Sequence, residues 1–265
     1  MVKITFALLF VFLGSANTYS ASTSLNLITP NQSKSFDLEQ LKAKLKVESF
    51  TVNDPVYKTK KTYEGFSLGD LLKEGGLTEA GGDEVVFHCA DGYSPTMPFA
   101  RLKEHRAMLA FEEKGASGGW RKFQQGKAWM TPAPYYVVWD TTAEAYPWPY
   151  QVVGIEVINF RKTYDKIFPE GAEKTSSVYR GFEHYRVSCL RCHSINLQGG
   201  EVGPEMNIPK NITEYWEEKT MRAFIRNPGD FRARSKMPPF PNLKDQELDD
   251  IVDYLKWARA HKKTS

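Results

Sequence analysis

The sequence predicts an α+β domain followed by an all-α domain, and three observations carry that expectation. Up to about residue 160, short runs rich in β-branched and aromatic residues alternate with short helical signals. Residues 161–178 (RKTYDKIFPEGAEKTSSV) are polar, hold a Pro-Glu-Gly turn signal and lack strong apolar periodicity. Beyond them the strand-like runs stop and helical patterns take over. The expected limits are 25–162 for the first domain, 163–176 for a linker and 177–265 for the second.

Of the 265 residues, 41% are hydrophobic and 13% aromatic, enough to fill packed cores and to argue against disorder. A formal charge of +3 fits neither a nucleic-acid binder nor an acidic tail protein. Residues 1–20 read as a signal peptide: Lys3 supplies the positive start, Ile4 to Leu13 the apolar run, and Gly14-Ser15-Ala16 small residues suited to cleavage. An uncleaved anchor is the alternative, for which the run is short. The mature chain is expected to be periplasmic or otherwise exported and to have no membrane span. Asp37 to Leu45 reads as a short helix and Lys46 to Val52 as a strand. Ser67 to Lys73 reads as a second helix, with Ser67 as N-cap and Gly75-Gly76 as its stop. Strand-like runs recur at Glu84 to Cys89, Tyr135 to Trp139 and Gln151 to Phe160. Late in the chain, Asp245 to Ala258 reads as a helix with Leu248, Ile251, Val252, Leu255 and Trp257 near one face.

The residues richest in chemistry are Cys189-Leu190-Arg191-Cys192-His193. A C-x-x-C-H stretch lets two thiols add to the vinyl groups of heme while the adjacent imidazole meets the iron. Attachment needs reduced thiols outside the cytoplasm, which agrees with the signal peptide. A thioredoxin-like reading lacks its βαβ setting, and a structural zinc reading lacks a second ligand pair. The third cysteine, Cys89, has no obvious partner, so the chain is not a disulfide-stapled domain.

Over roughly residues 176–262 the chain resembles the class I c-type cytochromes. The resemblance implies one heme c, held covalently by Cys189 and Cys192 and ligated by His193. Val178 to Ser188 is similar to the family's first helix, with Gly181 and Phe182 where it crosses the last helix and Tyr254 or Trp257 near Gly181. Gly199-Gly200-Glu201-Val202-Gly203-Pro204 resembles the loop whose proline carbonyl accepts from the proximal histidine, which makes Pro204 the acceptor for His193. Met237, in Lys236-Met237-Pro238-Pro239-Phe240, resembles the sixth ligand, with Met206 and Met221 as rivals. Such ligation leaves iron no open position and implies outer-sphere one-electron transfer with redox partner proteins. Arg222, Arg226, Arg232, Arg234 and Lys236 are read either as a patch that steers an acidic partner or as ordinary solvated surface.

In the first domain, Tyr63 to Gly76, Val85 to Ser94 and Trp148 to Phe160 resemble parts of the sulfite-oxidase-like molybdopterin-binding fold. There a Cys-x-acid-Gly-aromatic-Ser phrase follows a strand and its thiolate binds molybdenum. The resemblance makes Cys89, in Cys89-Ala90-Asp91-Gly92-Tyr93-Ser94, the candidate molybdenum ligand. The chain departs from that pattern in carrying His88 where cofactor-binding members have arginine, and no set of cofactor-anchoring residues is found. A domain that docks partners or shields the heme is expected. The alternative is a fused molybdopterin enzyme of sulfite or sulfoxide type, with heme as internal electron acceptor. His88 and His105 are expected in structural roles. The aromatics Trp129, Tyr135, Tyr136, Trp139, Tyr146 and Trp148 are expected to pack a core, with a docking surface as the alternative.

Overall fold

A computed structural model describes residues 24–125, 128–143 and 145–263; the expected signal peptide lies outside them. The N-terminal elements are β1 (Leu25–Thr29), β2 (Gln32–Phe36), α1 (Leu38–Lys44), β3 (Glu48–Asp54), β4 (Thr59–Ser67), α2 (Leu68–Gly75), β5 (Glu84–Cys89), β6 (Thr96–Pro98), β7 (Ala107–Glu113), β8 (Phe123–Gln125), β9 (Ala128–Met130), β10 (Tyr136–Trp139) and β11 (Val152–Ile158). One sheet has the order β2-β1-β11-β5-β6 and a second the order β10-β7-β4-β3. In the first, β1 runs parallel to β11, with Leu27 opposite Ile155, and the other pairings are antiparallel.

Side chains alternate across a strand, and β5 shows the consequence. Val85, Phe87 and Cys89 enter the core between the sheets, with Leu27, Leu109 and Trp139. Glu84 and Val86 face the second domain, where Val86 joins its core and Glu84 pairs with Arg186. The outer face of the second sheet carries Phe50, Tyr63, Tyr136 and Val138 beneath Trp120, Trp148 and Tyr150. Tyr135, Tyr136, Trp139 and Tyr146 are therefore packing residues, whereas Trp129 is 66% exposed. A capping box at Asp37 and Gln40 starts α1, and Gly76 at φ 74° ends α2.

The segment expected as a linker is packed. Phe160–Thr163 forms α3, and Tyr164 and Ile167 are buried, with the Tyr254 hydroxyl donating to the Ile167 carbonyl at 2.7 Å. Phe160, Tyr164, Ile167 and Phe168 follow helical spacing, a signal obscured by the charged residues between them.

The second domain comprises α4 (Ser177–Ser188), β12 (Ser194–Ile195), β13 (Gln198–Gly199), α5 (Glu218–Arg226), α6 (Pro228–Phe231) and α7 (Asp245–Ala260). The domain is helical as expected, with β12–β13 a pair of two-residue strands. Gly181 lets α4 and α7 touch: a Cβ there would overlap the Asp250 carbonyl and sit 2.9 Å from the Tyr254 Cβ. Phe182, Tyr185 and Tyr254 close the core around that crossing, while Trp257 stacks on His261 instead. Asp250 is buried and takes two 2.8 Å hydrogen bonds from the Arg180 guanidinium. Among the described residues no helix is long and apolar enough to cross a membrane.

Candidate heme site

Helix α4 stops at Ser188 and its C-cap, Cys189, leads into a tight turn. The Cys192 and His193 amides both donate to the Cys189 carbonyl, at 3.0 and 2.9 Å, which gathers two thiols and an imidazole on one turn of chain. As free thiols, Cys189 is pushed up to about 12 and Cys192 up to about 11, in both cases mainly by burial.

The His193 Nδ1 lies 2.9 Å from the Pro204 carbonyl. A carbonyl only accepts, so this contact puts the proton on Nδ1 and leaves Nε2 its lone pair. Burial lowers the pKa of His193 against the opposing effect of the Pro204 bond, which favours the neutral ring. The glycine loop lies directly on the motif: the Gly200 amide donates to the Leu190 carbonyl and the Gly203 amide to the Cys192 carbonyl, each at 2.7 Å. A Cβ at Gly200 would overlap the Arg191 backbone, and one at Gly203 would overlap the His193 ring.

Sequence reasoning missed what holds this loop. The Glu205 carboxylate accepts from the amides of Asn196, Leu197, Asn207 and Ile208 at 2.8 to 3.2 Å, which fixes the residue after Pro204. Asn196, Asn207 and Asn211 are fully buried and joined in a ladder, Asn211 to Asn207 and Asn207 to Asn196, each at 2.7 Å. Their amides also reach the Leu255 and Ala258 carbonyls of α7 at 3.0 and 2.9 Å. No spacing in the sequence marks them, because asparagines in a polar loop read as solvated.

Met237 is half-buried on a proline-flanked segment, its amide donating to the Ser235 hydroxyl at 3.2 Å. Met221 is buried in the domain core and Met206 packs against it, so Met237 is the thioether of the three that the core does not use. The basic run divides. Arg222 pairs with Glu218 and Asp249, and Arg226 with Asp245, whereas Arg232, Arg234 and Lys236 are exposed.

Cys89 ends β5 and is 6% exposed within the inter-sheet core. Burial, then Asp91 and Cys192, push its thiol well above the usual value. A molybdenum ligand must be a thiolate, and a phosphate-bearing pterin needs cationic donors. Cys89 is instead turned into the apolar inter-sheet core beside Asp91, an arrangement that presents no thiolate and does not fit that cofactor. His88 and His105 are apart, each on its own carboxylate: Glu156 and Asp140, both at 2.8 Å. Among the described residues no group of three His, Cys, Asp or Glu side chains is assembled for a metal.

Known proteins resemble the chain in the same two regions. The family model "Oxidoreductase molybdopterin binding domain" matches residues 30–117, and "Cytochrome C oxidase, cbb3-type, subunit III" matches residues 176–255. A component of the nitric oxide reductase of Stutzerimonas stutzeri is 32% identical over 104 residues, which is 36% of this chain and 68% of that protein. The chain belongs to the c-type cytochromes. This cytochrome is also 27% identical to cytochrome c of Kluyveromyces lactis over 108 residues, 33% of this chain and 92% of that one. Cytochrome c of Sesamum indicum is 29% identical over 102 residues, 31% of this chain and 91% of that one. The heme that such a cytochrome carries suits the donor set at the turn: two reduced thiols, an imidazole with Nε2 free, and a glycine loop that leaves the ring room.

Proposed function

We propose that this cytochrome is an exported, single-heme electron carrier whose N-terminal domain governs access to the heme. The observation that carries this reading is the His193–Pro204 contact at 2.9 Å beside Cys189 and Cys192, an arrangement that orients one imidazole nitrogen for iron. When bound, heme supplies a one-electron couple. The residues hold and tune it. Cys189 and Cys192 would hold it through two thioethers, and His193 would ligate through Nε2 while Pro204 keeps the proton on Nδ1. Met237 would offer its thioether to the iron, and such a ligand would exclude oxygen and raise the potential relative to a second imidazole. The Glu205 clamp and the asparagine ladder keep the ligand loop in place, so little rearrangement accompanies a change of charge. Arg232, Arg234 and Lys236 suit an acidic partner and act on association rate. The apolar run Ile4 to Leu13 supports export.

The match of residues 30–117 favours a second reading, a molybdopterin oxidoreductase with Cys89 as metal ligand and the heme as its electron acceptor. Elemental analysis of protein purified from the exported fraction of its own host separates the two. The carrier reading expects about one iron per chain and no molybdenum. Stoichiometric molybdenum overturns it. For the sixth ligand, Met237→Ala is expected to abolish the sulfur-to-iron absorption band of the ferric protein and to lower the potential. An unchanged band removes Met237 from the site.

A further inference from the structure

The loop that carries Cys89 does not end in solvent. The Ser94 amide donates to the Arg191 carbonyl at 3.0 Å, inside the C-x-x-C-H turn. The Glu201 amide, in the loop leading to Pro204, donates to the Gly92 carbonyl at 3.1 Å. The Arg191 guanidinium reaches the Tyr93 hydroxyl at 3.5 Å. Gly92 sits at φ 86° and so close that a Cβ would lie 3.2 Å from the Glu201 Cβ and 3.5 Å from the Val202 amide nitrogen. On the adjoining strand, the buried Glu84 pairs with Arg186, and Val86 is taken into the cytochrome core. The phrase that resembles a metal-presenting loop therefore lies against the two segments that carry the heme-attachment thiols and the Pro204 acceptor.

A thioether at Cys192 would hold one edge of the porphyrin two bonds from that residue's sulfur, through the former vinyl carbon. We propose that Gly92, Tyr93 and Ser94 form a fixed cover over this attachment edge, with Tyr93 the residue that shuts it to solvent and to partners. Outer-sphere exchange must then use the remaining edges, and the N-terminal domain selects partners by exclusion. This rests on heme attachment at Cys189 and Cys192.

The test uses the heme-loaded full-length chain. There two of its three cysteines are thioethers, which leaves Cys89 as the free thiol and as a reporter of loop opening. Tyr93→Ala and Gly92→Ala are each expected to speed alkylation of Cys89 by iodoacetamide roughly tenfold, as about 1.4 kcal/mol of lost loop closure would give. Reduction of the ferric protein by ascorbate is expected to rise in parallel. Tyr93→Phe keeps the ring and is expected to leave both rates at the wild-type value. Unchanged alkylation and reduction rates in both alanine variants overturn the cover. So does fast hydrogen exchange at the Ser94 and Glu201 amides of the wild type, which needs no variant to fold. Wild-type peptides that lack the mass of covalently bound heme sink the underlying heme reading, and are distinguished from a failed cover by that measurement alone.

Discussion

The two cysteine loops of this chain begin alike and diverge in what reaches them. Each starts at the end of a regular element, and each closes with an amide three residues on donating to the cysteine carbonyl at 3.0 Å: Gly92 to Cys89, and Cys192 to Cys189. After β5 the thiol turns into an apolar core, and the loop's main chain is bonded to Gln151, Arg191 and Glu201. After α4 the thiols stay half-buried beside an imidazole, and a glycine loop delivers a carbonyl to the far side of that ring. The difference teaches that the turn itself is generic. What distinguishes the proposed cofactor site is a second segment, held by the Glu205 clamp, that fixes the proton on His193.

That contrast breaks most visibly at the thiols themselves. Cys192→Ala is expected to remove a thioether and reduce covalently retained heme severely on a denaturing gel stained for heme. Cys89→Ser is expected to leave the heme spectrum intact and cost about 1–3 kcal/mol, the penalty of a hydroxyl in an apolar core, read from urea midpoints. A heme spectrum altered by Cys89→Ser would erase the distinction between the loops. Next in size is the helix crossing. Gly181→Val drives side-chain atoms into the Asp250 carbonyl, and is expected to cost about 3 kcal/mol or more in the urea midpoint of the cytochrome domain. A loss below about 1 kcal/mol would mean that α4 and α7 separate easily.

Much of this was legible in the sequence, for reasons particular residues show. The helix beginning at Asp37, the cap at Ser67 and the whole of β5 are local signals, set by a side chain and its neighbours within a few positions. The strands β1, β2, β4 and β7 went unread. Much of their stability comes from cross-sheet packing, and β4 in particular opens with Thr59-Lys60-Lys61-Thr62, which looks like solvated loop. Gly181 was legible only through resemblance, since a glycine inside a helix carries no label for the backbone it meets. Glu205, Asp250 and the three asparagines were invisible because each is polar, and polar residues declare burial only when a fold supplies their partners.

Asp250 gives the smallest and sharpest of these tests, because it is a buried carboxylate that ties the α4–α7 crossing to Arg180. The hydrogen bonds from Arg180 hold the Asp250 carboxyl below the usual carboxylate range, against the opposing effect of burial. A carboxyl whose folded value is depressed contributes stability that is present above its unfolded value, about 3.9 for an ordinary aspartate, and lost as pH falls through the folded value. Asp250→Asn keeps the shape and removes the charge. It is expected to cost about 1–3 kcal/mol at pH 7, toward the lower end because Arg180 is partly exposed. As pH falls through that depressed value the wild-type carboxyl itself protonates, so the two urea midpoints are expected to converge. A gap that stays constant with pH would show that the cost of Asp250→Asn does not follow the ionisation of the carboxyl.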